Sequence, residues 1–312
     1  MLSYVIRRIV GAIPTLFIVI LIAFLMVRLT PGNPFATERA LPPEVMKTLM
    51  HQYHLDLPLY EQFWRYLSDL LQGDLGMSYK NQGMKISDMI FPSGHQGGFW
   101  VSAQLGFLSL IIAMVVGSLL GIFSALTRKT KFNWIDNLIS SVAILFISTP
   151  VVVTAPLAVL IFAVNYHLLP ANGWGSYQQM LLPIIILAIP YASIIAQIMR
   201  SSLVETLHSP FIRTAKAKGL PTRDVIVKHA LKSAIIPVIS FLGPAAAGIL
   251  TGSVIIEQVY TIPGIGVQMV QGATNRDYNL VLALTVIYSG LVILFNLVVD
   301  IIYSFLDPKI RY

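Results

Sequence analysis

Apolar positions along the chain gather into six long runs, at about Ile9–Leu29, Phe99–Leu126, Ile135–Val164, Leu181–Met199, Ala234–Ile256 and Leu280–Leu306. Each is long enough to cross about 30 Å of hydrocarbon at roughly 20 residues per helical crossing. A lipid-embedded segment must satisfy its own backbone, so the pattern predicts an all-α, polytopic membrane protein with six transmembrane helices. Residues 31–98 form the one long polar interval. There Val45, Met46, Leu49, Met50 and Tyr53, and again Leu59, Phe63, Leu67, Leu70 and Leu71, recur at helical spacing, and Pro42 and Pro43 open the first of these helices. The expected organisation is residues 1–30 as a first span, 31–98 as an extracytoplasmic helical loop, and 99–312 as a core of five spans carrying a cytoplasmic loop at 200–233.

Composition agrees with this pattern. The 312 residues are 56% hydrophobic and 11% charged, with a mean hydropathy of +0.75, far from the balance of a soluble domain. A net charge of +7 raises nucleic acid as a partner, but the basic residues sit beside the apolar runs, which marks a cytoplasmic membrane face instead. With the N-terminus inside, 14 of the 21 basic residues fall in the cytoplasm and the outer loop 165–180 has no Lys or Arg. Arg28 ends a span, where its side chain can snorkel to the interface. Arg7 and Arg8 precede a run longer than a signal-peptide core, and no small-residue cleavage site follows, so the first span is expected to stay attached. The chain has no cysteine, which excludes disulfides and thiolate chemistry.

Within the spans, small residues and prolines carry more information than charges. Gly117 with Gly121, and Gly248 with Gly252, form GxxxG pairs that let helices touch, with packing inside this subunit preferred over an interface with another. Pro183, Pro190, Pro237, Gly243 and Pro244 free backbone groups that lipid cannot satisfy, so their spans should be covered by protein or line a path. Asp136 reads as a first-turn cap of the third span, and Asp300 as an acid paired near a span end. His51 and His54, three apart with no third ligand evident, read as exposed polar residues. No Walker A loop, HExxH helix or GxSxG elbow is present, and none of the 21 glycines precedes a lysine.

The stretch Ser209–Pro237 is polar between two very apolar neighbours. Ser209 and Pro210 predict a helix start, Gly219 a left-handed stop, and Thr222 with Asp224 a second helix, with Phe211, Ile212 and Leu220 as an exposed apolar ridge. Within it, IRTAKAKGLP resembles the EAA loop of bacterial ABC importer permeases in the variant of the peptide family. Arg213, Thr214 and Ala215 stand where the general pattern begins with Glu. RRIVGAIPTL, LTPGNP, GDLG, IPGIG, NRDY and the closing DPKIRY extend the resemblance over nearly the whole chain, most closely to oligopeptide B subunits, while residues 92–98 match nothing in it.

The resemblance implies a type I ABC importer transmembrane domain without catalytic, cofactor or metal residues of its own. Phe211, Arg213, Thr214, Ala215, Lys216, Lys218, Gly219 and Leu220 would form the coupling helix that docks into an ATPase subunit. Glu257, Pro263, Gly264, Arg276 and Asp277 would belong to an outer gate or receptor contact, in a loop held by charge pairing or touching substrate. The partners implied are a homologous second permease subunit, two ATPase subunits that hold ATP and Mg, an extracytoplasmic substrate-binding protein and a peptide substrate. Dipeptides, nickel, glutathione or antimicrobial peptides are the alternative cargoes. A secondary transporter or channel is the rival class, but it predicts inverted repeats and mid-membrane ionisable residues that are not evident.

Overall fold

The structure is a computed structural model that describes residues 2–30, 35, 42–81, 83–94, 97–128 and 130–306. Pro31–Pro34 of the LTPGNP motif, Lys129, Lys309, Arg311 and the whole DPKIRY motif lie outside the described residues. Helices α1 (Leu2–Leu29), α2 (Pro43–Gln52), α3 (Leu59–Leu71), α4 (Ile86–Ile90) and α5 (Gly98–Thr127) come first. Then follow α6 (Asn133–Ser148), α7 (Val151–Ala158) with a π-helical extension Val159–Asn165, and α8 (Tyr177–Leu207). The polar elbow holds α9 (Pro210–Ala217), α10 (Thr222–Asp224), a π-helical turn Val225–Ala230 and α11 (Leu231–Ala234). The chain continues with α12 (Ile236–Val259), α13 (Ile265–Thr274) and α14 (Tyr278–Leu306). Among the described residues there is no strand, only two isolated bridges.

Among the described residues five helices are long and apolar enough to cross a membrane, and the third predicted span is not one straight helix. Asn133–Ser148 and Val151–Asn165 meet at 104°. The cause is Pro150, which offers no N–H to continue the ladder and pushes Thr149 into extended backbone at φ −97°, ψ 118°. A new helix then starts on the Pro150 carbonyl, which accepts the N–H of Val153 at 2.9 Å. The fourth span is longer than its apolar run: α8 continues eight residues beyond Met199, so Arg200 is helical and the elbow begins only at His208.

The chain divides into two compact units. In the one built mainly from residues 103–262, α8 is the central helix. A capping box starts it, with the Ser176 hydroxyl accepting the Gln179 N–H and the Gln179 side chain accepting the Ser176 N–H. Pro183 and Pro190 sit inside α8 without ending it, and Pro183 is buried, so protein covers this helix as a proline-bearing span requires. Pro237 falls in the first turn of α12, where a missing N–H costs nothing. The core joins Ala188, Ala192, Ile195, Met199 and Leu203 of α8 to Val225, Ala230, Ala234 and Val238.

The other unit is built from Arg7–Ser102 and Pro263–Ile293. One face of α1, with Ile20, Ala23 and Phe24, packs on Phe63 of α3 and on Leu282 and Val286 of α14. Phe17 and Phe24 meet the Phe63 ring edge-on at 5.8 and 5.3 Å between centroids. Both predicted loop helices form, each started by a proline at its N-terminal edge. His54 has a left-handed φ of 55°, just past the end of α2, and no group of three metal-ligating side chains occurs among the described residues.

Candidate functional site

The elbow between α8 and α12 is built by local rules. Ser209 holds extended backbone before α9, but its hydroxyl donates back to the Thr206 carbonyl at 2.6 Å instead of capping the new helix. At the far end of α9, Gly219 adopts φ +77°. Its N–H bonds the Lys216 carbonyl at 3.0 Å and the Leu220 N–H bonds the Ala215 carbonyl at 3.4 Å. This is the Schellman closure that a left-handed glycine permits. Pro221 then sets the start of α10, and the turn Val225–Ala230 is π-helical, a geometry common where helices bear function.

These constraints give the elbow two faces. Ile212 and Ala215 point inward and are buried in the core with Leu203 and Met199. Ile212 therefore does not belong to the exposed ridge expected from sequence: at helical spacing, positions 212 and 215 share the inward stripe. Phe211 (48% exposed) and Leu220 (38%) remain outside, beside exposed Arg213, Thr214, Lys216, Lys218 and Gly219. Arg213, Lys216 and Lys218 enter no ion pair among the described residues, whereas Lys228 meets Asp224 at 2.9 Å on the surface. The outward face is thus two apolar side chains set among cations that enter no ion pair among the described residues.

Where small residues let the helices touch, they do so on α8. A Cβ on Gly117 would lie 2.5 Å from the Ala192 carbonyl oxygen, and one on Gly121 would lie 2.6 Å from that of Ala196. On α12, a Cβ on Gly248 would meet the Tyr191 hydroxyl at 2.5 Å, and one on Gly252 would meet Leu187 at 3.3 Å. Both GxxxG pairs are occupied by this subunit's own helix.

The charged residues expected in one outer loop are distributed differently. Glu257 is fully buried within α12. The stretch after Pro263 is not an open loop, because α13 begins at Ile265 and contains Gly266. Gly264 is the extended residue before it, the Ser102 hydroxyl accepts the Ile265 N–H at 2.9 Å, and the Pro263 carbonyl accepts the Gly98 N–H at 2.8 Å. Arg276 is exposed in left-handed backbone at φ 59°. Asp277 is buried and uses its carboxylate on the Ser78 hydroxyl, the Tyr79 N–H and the Leu280 N–H instead of pairing with Arg276. Burial holds the Tyr79 phenol above its usual range, with Arg28 opposing the shift.

Asp136 also has a role that its position near a helix start concealed. No cap bond forms at that end of α6. The carboxylate is 3% exposed and accepts from two of the three guanidinium nitrogens of Arg200, Nε at 2.5 Å and Nη2 at 2.8 Å. The Ser124 hydroxyl donates to it at 2.5 Å. The sequence carries a signal for this pair, a lone Arg one residue past the apolar run that ends at Met199, which belongs to α8 and not to the loop.

Over residues 117–312 the chain matches the protein family described as binding-protein-dependent transport system inner membrane component, and over residues 1–86 that system's N-terminal membrane component. It is 47% identical to the oligopeptide transport system permease protein OppB of Haemophilus influenzae and 48% identical to OppB of Escherichia coli K12, each over 100% of both chains. It is 40% identical to the dipeptide transport system permease protein DppB of Bacillus subtilis, over 100% of this chain and 98% of the other. Among solved structures, an amino acid ABC transporter with histidines shares the fold, with a TM-score of 0.51 at 20% identity over 66% of this chain and 91% of that one.

Proposed function

The chain belongs to the binding-protein-dependent transport system inner membrane components, and from that premise we propose that it is the B-type permease subunit of an oligopeptide ABC importer. The observation that carries this reading is end-to-end similarity, at 47–48% identity, to permeases of oligopeptide transport systems. As a multi-pass inner-membrane protein it supplies the path and not the chemical energy. In this reading two ATPase subunits bind ATP and Mg, a homologous permease subunit completes the channel, and an extracytoplasmic binding protein delivers the peptide.

The elbow is the element suited to receive the ATPase. Phe211 and Leu220 offer apolar contact, and Arg213, Lys216 and Lys218 offer charge, while the buried Ile212 and Ala215 anchor the same helix to the bundle. ATP-driven closure of the partner would displace the elbow and tilt α8 and α12, switching access between the two membrane faces. The dipeptide permease similarity makes shorter peptides the second reading. The test is to purify the tagged chain from its membrane and identify what accompanies it, then compare uptake of labelled oligopeptides and dipeptides with and without it. Co-purified ATPase and permease chains with loss of oligopeptide uptake are expected. Unchanged uptake without the chain would overturn the reading.

A further inference from the structure

The bidentate pair between Asp136 and Arg200 is a costly way to hold two helices together. Desolvating two charges costs several kcal/mol per ion in practice, and a well-packed apolar pair in their place is often as stable or more so. What the pair adds is register. Two parallel N–H···O bonds fix both the rotation and the axial position of α8 against α6, and the Ser124 hydroxyl ties the same carboxylate to the last turns of α5. Among the described residues, the surface ion pairs Arg65–Glu61 and Lys228–Asp224 are exposed i,i+4 contacts with no such reach.

The position of the pair gives this register a use. Arg200 lies on α8 about 10 Å along the helix from Leu207, the last residue before the elbow. Between them, Leu203 of α8 shares one core with Ile212 and Ala215 of α9, so the elbow is packed onto the lower part of α8. Asp136 opens α6, which leads to the 104° bend at Thr149–Pro150 and then to α7. The α7 carbonyl of Ala155 in turn accepts the hydroxyl of the fully buried Tyr260 at the end of α12.

We propose that the Asp136–Arg200 pair is a positioning link of the transport cycle, which passes displacement of the elbow from α8 to α6 and, through the bend, to α7. Without it, α8 turns under load while α6 stays behind. The proposal rests on the permease reading, and it goes beyond that reading by assigning the transmission to two residues outside the elbow.

The experiment uses the full complex in lipid, with the companion permease, both ATPase subunits and the binding protein. It measures ATP hydrolysis stimulated by peptide-loaded binding protein, and ATP consumed per peptide taken up. The Asp136→Leu/Arg200→Met double variant removes both charges and leaves no buried ion behind. It is expected to reach the membrane and retain the ATPase subunits, yet to lose coupling by roughly fivefold or more. Arg200→Lys keeps the charge but not the fork, and is expected to show wild-type abundance with a smaller loss in the same ratio. If the wild-type complex couples and the double variant couples equally well, the link is overturned. Should the double variant be lost from the membrane, Arg200→Lys decides, and wild-type coupling there overturns the link. A wild-type complex with no peptide-dependent hydrolysis overturns the permease reading and the link with it.

Discussion

The carboxylate of Asp277 accepts the backbone N–H of Tyr79 at 3.0 Å across 198 positions of sequence. The same carboxylate takes the Ser78 hydroxyl and the Leu280 N–H, so it both starts α14 and holds the segment after α3. Replacing Asp277 by Ala strands buried donors, at a local cost of about 2–4 kcal/mol. We expect Asp277→Ala to speed tryptic cleavage at Lys80 and Lys85, which are already exposed, in intact membranes by loosening the segment that carries them, while the helical core around α8 resists as before. Asp277→Asn, which retains one acceptor oxygen, should fall between. A wild-type cleavage pattern in Asp277→Ala would show that the clasp does not hold this segment.

Gly117 and Gly121 test the packing of α5 on α8. A Cβ at either position meets a backbone carbonyl at 2.5 or 2.6 Å, which cannot yield as a side chain does. Gly117→Ala should cost about 1–3 kcal/mol, and Gly117→Leu more, by forcing the helices apart. Gly11 in α1 is the control, since nothing lies within 4 Å of a Cβ there. Gly11→Ala should shift stability by no more than about 1 kcal/mol, as helix propensity alone predicts. Thermal unfolding in detergent and membrane abundance measure both, and equal effects at Gly11 and Gly117 would contradict the packing.

Much of this was legible because membrane and turn rules are local. The apolar runs located the spans, and the pairing of Pro210 with Gly219 located both ends of α9. The sequence hid what depends on which helix neighbours which. Asp136 in the first turn of α6 looks like a cap until α8 is seen to bring Arg200 against it. Asp277 looks like a loop charge until a segment 198 positions away supplies its donors. Ile212 looks like part of an apolar ridge until the inward stripe it shares with Ala215 is known. The bend at Pro150 stays hidden inside an apolar run that reads as one span, because a proline there can equally be a tolerated kink, as Pro183 and Pro190 in α8 demonstrate.

Orientation in the membrane follows from the distribution of basic residues and is directly measurable. The elbow carries Arg213, Lys216, Lys218, Arg223, Lys228 and Lys232, whereas residues 165–180 carry no Lys or Arg. The positive-inside rule predicts the elbow in the cytoplasm and residues 31–98 outside. A reporter fused after Thr222 should be active only in its cytoplasmic form, and one fused after Lys80 only in its exported form. The reverse pattern would invert the whole arrangement and remove the elbow from any ATPase.

Gly219 separates a structural role from a coupling role within one position. Its left-handed φ of +77° means that any L side chain there costs roughly 1–2 kcal/mol of backbone strain. Nothing lies within 4 Å of a Cβ, so this chain has space for a bulky residue. Gly219→Asn, which tolerates left-handed backbone best after glycine, therefore reports the backbone cost. Gly219→Trp adds bulk that only a docked partner would meet. We expect both variants to reach the membrane in similar amounts. Gly219→Asn should keep ATPase retention and peptide uptake near wild type, while Gly219→Trp should lose at least about tenfold in uptake, because an anchor-sized obstruction in a docked interface costs a few kcal/mol. Normal uptake and ATPase retention in Gly219→Trp would mean that the face bearing Phe211 and Leu220 is not where the ATPase docks. Loss of both variants from the membrane would mean instead that the Schellman closure at Gly219 is needed to fold the elbow.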